Sequence, residues 1–487
     1  MSTVLPRTQV KQVGLFIDGK EQPSVSGETF EVLNPTDNSL LAEVAKANRE
    51  DVDRAVAAAQ KAYAGPWAKM KTAERSAVLS KVAQRIVERA PELALLESSD
   101  VGKPLKESRV EMPRASLNFR FFAELITKLN NESAPVDADF LNYHQRRPIG
   151  VAALITPWNF PFMLTTWKAG PCLSAGNTCV IKPASVAPMT PLLLGEICAE
   201  AGLPEGVLNV VAGPGPVVGA RLAEHPDVKL ISFTGETVTG QSIMTTASKT
   251  LKRLSFELGG KSANIVFDDA TWEEALAGSI RAIYSNQGEV CLAGSRLLIE
   301  DGIYDKFVAE FIDRASKLRI GNPLDENTDL GPLVSAEHLR RVTGYLDIAE
   351  SEGARIVYGG RTPSGWDKGN FLEPTVIVDV DNKMRCAQEE IFGPVVVIER
   401  FKGEEEAIRL ANDNRYGLAG VVWTNDLRRA HRVAQSVDGG NIWVNCWFVR
   451  DLRVPFGGMK ESGIGREGGH WSLDFYTEQK NICIKLT

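Results

Sequence analysis

Apolar and polar positions first recur with a helical period. Residues 51–64, DVDRAVAAAQKAYA, and 73–90, AERSAVLSKVAQRIVERA, space their apolar side chains three and four apart among strong helix formers, which predicts two amphipathic helices. A third helix is expected over about 108–129. The pattern then changes. Short β-branched runs at 150–155 (GVAALI), 178–182 (TCVIK), 207–211 (VLNVV) and 229–233 (KLISF) are separated by helical segments near 165–175, 191–202 and 216–224. This βαβα order predicts a parallel sheet with helices on both faces. A second alternating series runs from about 262 to 445, with strands at 263–267 (ANIVF), 294–300 and 441–445. No repeat, low-complexity tract or Gly/Ser linker interrupts the chain, so two α/β domains joined without a flexible tether are expected.

Composition narrows the classes. At 487 residues, 44% hydrophobic and 24% charged, the chain suits a soluble protein of two or three domains. A net charge of −7, without long basic runs or basic patches interleaved with aromatics, argues against a nucleic-acid surface. The first residues, MSTVLPRTQVKQVGLFIDGK, lack the continuous apolar core of a signal peptide. The richest apolar region, 151–181, is broken by Pro157, Asn159, Pro161, Lys168 and Pro171, so no membrane span is expected. Seven widely spaced cysteines with no C-x-x-C pair fit neither a disulfide framework nor a zinc site. Reduced thiols in a cytoplasmic protein are the expectation. The five histidines show no ligand spacing, so no catalytic metal is expected.

Two stretches are candidates for holding a phosphate. GPGPVVG at 213–219 has one residue too many for G-x-G-x-x-G and reads on its own as a turn. LISFTGETVTG at 230–240 is stronger: a strand ends at Phe233, turns through Gly235 and leads into a helix whose free N–H groups suit a phosphate. Glu236 would repel that phosphate if it pointed inward, and the sequence leaves its direction open.

Four stretches carry candidate chemistry. In NQGEVCLAGSR (286–296), Cys291 stands in a small, Gly-flanked segment with no histidine nearby in sequence. In ITPWNFP (155–161), Pro157 and Pro161 fix the backbone around Asn159, whose amide suits a developing oxyanion, although a plain turn is the commoner meaning of such a stretch. In SFELGGKS (255–262), Glu257 lies between an apolar strand and a Gly-Gly turn, a place for a general base beside a reactive thiol. In EEIFGP (389–394), paired acids before Ile-Phe suggest one carboxylate outside and one turned into a cleft. Each is weak alone.

Taken together, ITPWNFP, FTGET, ELGGKS, NQGEVC, EEIFGP and PFGGMKESGIGRE resemble the aldehyde dehydrogenase superfamily, in its hydrolytic NAD(P)-dependent form, from about Phe16 to Lys485. The resemblance implies a nucleotide-binding α/β domain (8–129 and 149–256), a catalytic α/β domain (257–446) and an oligomerisation arm (130–148 and 470–487). The arm would pair a hairpin near 130–148 with a strand at 480–486 in a homodimer or homotetramer. It implies Cys291 as the nucleophile, Asn159 and the Cys291 N–H as the oxyanion site, and Glu257 as the base that hydrolyses the thioester. Lys168 and Glu467 resemble groups in a proton path to Glu257. The cofactor would lie along Ile155, Thr156, Pro157, Trp158, Asn159 and Lys182. Its other contacts would be Gly215, Phe233, Gly235, Glu236, Leu258, Glu390 and Phe392. Many NAD-using members carry Glu where this chain has Ser185, which leaves NAD and NADP both open.

The segments 113–124, 164–171 and 445–469 are more particular, and resemble the branch acting on 2-hydroxymuconic and 2-aminomuconic semialdehydes. There, two arginines that hold the substrate's carboxylate fall on Arg114 and Arg450, with Trp167 and Phe456 as pocket walls. The alternative for Arg450 is an ion pair with a protein carboxylate such as Asp451. Succinic semialdehyde is the rival substrate, and a cofactor-independent cysteine esterase the rival class.

Overall fold

The computed structural model describes residues 11–137 and 139–486, so the reading of the first ten residues lies outside the described part. Two sheets organise it. The first has eight strands, with Val151–Ile155 and Val228–Thr234 side by side at its centre. From Val151–Ile155 the chain steps outward in one direction through Thr178–Lys182 and Leu208–Val210. It then returns to the other side for Val228–Thr234 and Arg253–Glu257, all five strands being parallel. Every residue of Val151–Ile155 and Thr178–Lys182 is buried, which is why both read as continuous apolar runs and not as alternation. The reversal of winding between the two central strands leaves a crevice at their carboxyl ends, where open α/β sheets bind ligands.

The second sheet has seven strands, six of them parallel, and includes Ala263–Val266, Arg296–Glu300 and Asn441–Val444. A two-stranded antiparallel ribbon stands apart: Phe140–Pro148 pairs with Thr477–Lys485 along its whole length. Among the described residues no helix is long and apolar enough to cross a membrane.

The helical readings differ mainly at their ends. The helix expected over 73–90 stops at Glu88, and Pro91 opens a separate helix, Ala90–Val101, because proline suits a first turn but not an interior. The helix expected from 108 begins earlier, as Leu105–Leu125, immediately after Pro104. A small sheet of Lys11–Val13, Thr29–Leu33 and Leu40–Ala45 was not foreseen; its strands run to six residues at most and mix exposed with buried positions, and so carry little periodic signal.

Between Ala90–Val101 and Leu105–Leu125 sits a fully buried ammonium. Lys103 Nζ donates to Glu111 Oε2 at 2.6 Å and to Glu97 Oε1 at 3.4 Å, and lies 4.4 Å from the Phe160 ring centroid. Removing one partner of such a set leaves uncompensated buried charge. Lys103→Met is therefore expected to cost about 3–5 kcal/mol, read as a lower urea midpoint; an unchanged midpoint would contradict the pairing.

Candidate active site

The crevice at the strand ends opens into a cavity of about 590 Å³. Its walls come from Ile155–Asn159, Lys182, Gly215, Phe233–Glu236, Leu258, Cys291, Glu390 and Phe392, so both sheets contribute. Trp158 and Phe392 meet edge to face, 5.2 Å between centroids, and His338 packs on Trp158 at 4.9 Å. Lys182 is buried and, among the described residues, donates only to the Pro183 carbonyl, at 2.9 Å; burial lowers its pKa to about 8. Of the paired acids, Glu389 faces outward to Tyr345 and Arg385, whereas Glu390 turns in and accepts the Gly260 N–H at 2.9 Å. Burial raises the Glu390 pKa to about 7. The Gly-Gly turn is required here: a Cβ at Gly259 would stand 2.5 Å from Glu390 Oε2, and one at Gly260 2.4 Å from the Cys291 carbonyl oxygen.

Glu236 pairs with Arg341 of the helix Ala336–Ser351 at the cavity rim. Arg341 and His338, one turn apart, are cavity residues that the sequence reading missed, since an amphipathic helix gives no sign of what its polar positions face. Ser185 donates to the Gly213 carbonyl at 2.8 Å.

Cys291 follows a turn in which Asn286, Gln287 and Gly288 all have positive φ, 46°, 55° and 73°. Asn159 Nδ2 donates to the Glu289 carbonyl at 2.8 Å, and Asn286 Nδ2 to the Asn159 carbonyl at 3.0 Å, so the two asparagines are mutually fixed. Glu257 ends its strand with both carboxylate oxygens buried and without a hydrogen-bond partner among the described residues. Burial, then the nearby Glu467, hold its carboxyl well above the usual range, opposed by Lys168 and Arg450. Glu467 in turn accepts Lys168 Nζ at 2.8 Å, Ser232 Oγ at 3.2 Å and the Trp167 indole N–H.

A second cavity, about 280 Å³, is lined by Arg114, Leu117, Phe121, Met163, Trp167 and Arg450 among others. The Arg450 guanidinium lies 3.8 Å from the Phe456 ring centroid and 4.6 Å from that of Trp167, and its Nη2 has no hydrogen-bond partner among the described residues. Burial, then Arg114, lower its pKa to about 10. Arg114 sits 5.3 Å from the Phe448 ring centroid. The suggested Arg450–Asp451 pair does not form: Asp451 is bound by Arg453, at 2.6 and 2.9 Å, on the exposed side.

Burial, then Glu390 and Glu257, push the Cys291 thiol up to about 12, opposed by Arg450. A thiol held that high is protonated at neutral pH, so its thiolate fraction rises with pH throughout the accessible range. Iodoacetamide labelling of the Cys291 peptide, followed by mass spectrometry, should quicken roughly tenfold per pH unit between about pH 7 and 9. A plateau within that interval would contradict the raised value.

A sequence profile of the aldehyde dehydrogenase family matches residues 22–482. The chain is 47% identical to 2-hydroxymuconic semialdehyde dehydrogenase of Pseudomonas sp. (strain CF600), over 98% of this chain and 100% of that protein. It is 45% identical to 5-carboxymethyl-2-hydroxymuconate semialdehyde dehydrogenase of Escherichia coli, over 95% and 99%. A structure of an aldehyde dehydrogenase from Bacillus cereus in complex with NAD+ superposes with a TM-score of 0.96 at 40% identity, covering 98% of this chain and 97% of that one. On that match over nearly its whole length, in a chain whose half-buried Cys291 and buried Glu257 lie at the crevice of a doubly wound sheet, the chain belongs to the aldehyde dehydrogenase family.

Proposed function

We propose that this protein oxidises a carboxylated, conjugated semialdehyde to its acid, with NAD or NADP, through a covalent intermediate on Cys291. The observation that carries the substrate class is Arg450: a half-buried cation, caged by two rings, with a buried Nη2 whose N–H no described protein group accepts. A substrate carboxylate reaching the second cavity satisfies it, with Arg114 as the other cation, each charge-assisted bond contributing about 1.5–3 kcal/mol. Relatives named for hydroxymuconic and aminomuconic semialdehydes at 42–47% identity support the same class.

The steps follow from the side chains. The Cys291 thiolate, formed as the thiol gives its proton to solvent, attacks the aldehyde carbon, and the resulting oxyanion is held by the Asn159 amide and the Cys291 N–H. Bound NAD(P) would supply the acceptor for the hydride that must leave the carbon to give the thioester. Lys182 and Glu390 suit its ribose hydroxyls, and the Trp158–Phe392 wall suits its flat ring. Glu257 then accepts a proton from water, whose oxygen attacks the thioester carbon and releases the acid and the thiolate. Because burial raises the Glu257 carboxyl, this step gains rate as pH rises, and the Lys168–Glu467 pair behind it offers the proton an exit. We further read 8–129 with 149–256 as the nucleotide-binding domain and 257–446 as the catalytic domain. Segments 130–148 and 470–487 form the oligomerisation arm, its ribbon exposing Phe140, Leu141 and Ile484 to a second copy.

Nicotinamide reduction with 2-hydroxymuconic, 2-aminomuconic and succinic semialdehydes tests this reading. A muconic semialdehyde should turn over fastest. Arg450→Ala should lower kcat/KM for it about 10- to 100-fold while sparing an uncharged aldehyde; equal loss on both would refute the anion anchor. Cofactor-independent ester cleavage without any aldehyde oxidation would favour the esterase class instead. Glu257→Gln should retain a burst of one equivalent of reduced cofactor and lose steady turnover about 10²- to 10⁴-fold. Ser185→Glu should weaken NADP selectively, by tenfold or more on the order of one charge repulsion; equal effects on both cofactors would exclude a role at the 2′ position.

A further inference from the structure

The helix Leu105–Leu125 carries Glu107, Glu111 and Arg114 at spacings of four and three, hence on one face. Two of these are accounted for: Glu111 binds Lys103, and Arg114 lines the second cavity. Glu107 is not part of that ion cluster's hydrogen bonding. Its Oε2 accepts the backbone N–H of Asn286 at 3.0 Å. Asn286 is the first of the three positive-φ residues ahead of Cys291, and a left-handed turn is held only where its surroundings over-determine it.

From that turn the oxyanion site is hung on both sides. Asn286 Nδ2 holds the Asn159 carbonyl at 3.0 Å, and the Asn159 amide donates to Glu289 at 2.8 Å. Glu289 is fixed in its turn by the Val334 N–H, 3.0 Å from its Oε1. The Cys291 N–H follows two residues later. We propose that Glu107 is a positioning residue for the oxyanion site, locking the turn 286–288 through the Asn286 N–H so that the Asn159 amide and the Cys291 N–H converge. The inference rests on the reading of Asn159 as the oxyanion donor.

What matters on this account is the reach of an acceptor oxygen, not the charge it bears. Glu107→Gln keeps reach without charge; Glu107→Asp keeps charge and shortens the reach; Glu107→Met keeps only volume. The assay is the burst of p-nitrophenol as p-nitrophenyl acetate acylates Cys291 in the cofactor-free enzyme, which needs the thiol and the oxyanion site but no hydride acceptor. Iodoacetamide alkylation, which forms no oxyanion, serves as the parallel readout, and thermal melts check each fold.

Glu107→Asp and Glu107→Met should slow acylation about 10- to 100-fold, with alkylation within about twofold of the parent and Glu107→Gln recovering most of the loss. If the Met variant fails to fold, the Asp and Gln pair decides alone. Parental acylation in the Asp variant, a Gln variant no better than Asp, or alkylation falling in step would each overturn the proposal. Asn159→Ala separates the two levels. If it acylates normally, the oxyanion reading itself fails and takes the proposal with it. If it is slow while Glu107→Asp is not, only the role of Glu107 fails.

Discussion

The floor of the site depends on one buried ion pair. Lys168, on the helix that follows the first central strand, and Glu467, from a segment three hundred positions later, share Ser232 on the second central strand. Their contact ties a distant part of the chain to the middle of the sheet. It also fixes Trp167 through its indole N–H, and Trp167 is one wall of the Arg450 cage. The same Glu467 charge raises the carboxyl of Glu257. Such a pair is held by geometry and not by surplus energy, because desolvating two charges offsets most of their attraction. Its value is that it leaves the surrounding groups only one arrangement.

Charge is distributed unevenly over the rest of the site. Carboxyls near the thiol are raised, the thiol is raised with them, and the guanidinium beyond is lowered, each mainly by burial. The groups next to the reacting atoms are therefore shifted toward their neutral forms, while positive charge lies in the cavity where a substrate tail would lie. An anion entering that cavity meets a cation whose Nη2 is already shielded from water, and an uncharged aldehyde gains nothing there.

Much of this was legible in the sequence, for identifiable reasons. Strands such as VAALI and TCVIK announce themselves because burial on both faces keeps their middles apolar. Cys291, Glu257 and Asn159 stood out because proline and glycine beside them mark backbone that must approach something closely. The direction of Glu236 was not legible, since it depends on Arg341 in a helix a hundred residues away. Asp451 failed as a partner for Arg450 for a similar reason: Arg453, two residues beyond it, takes the carboxylate on the outer side. His338 and Glu107 went unnoticed because helical periodicity reports which side of a helix is polar, not what that side meets. Contacts between distant segments were the part that local pattern does not encode.

The ribbon of Phe140–Pro148 and Thr477–Lys485 has a consequence for the order of events during synthesis. The first strand emerges early and stays without its partner until residue 477 and its successors have been made. Glu467 and Arg450 also belong to that late stretch, so the surroundings of Cys291 are completed by residues far beyond it in sequence. Sheet pairing between such remote segments is slow to close. Closing the ribbon and completing the surroundings of Cys291 therefore both wait on residues from Arg450 onward, however early the first strand emerges.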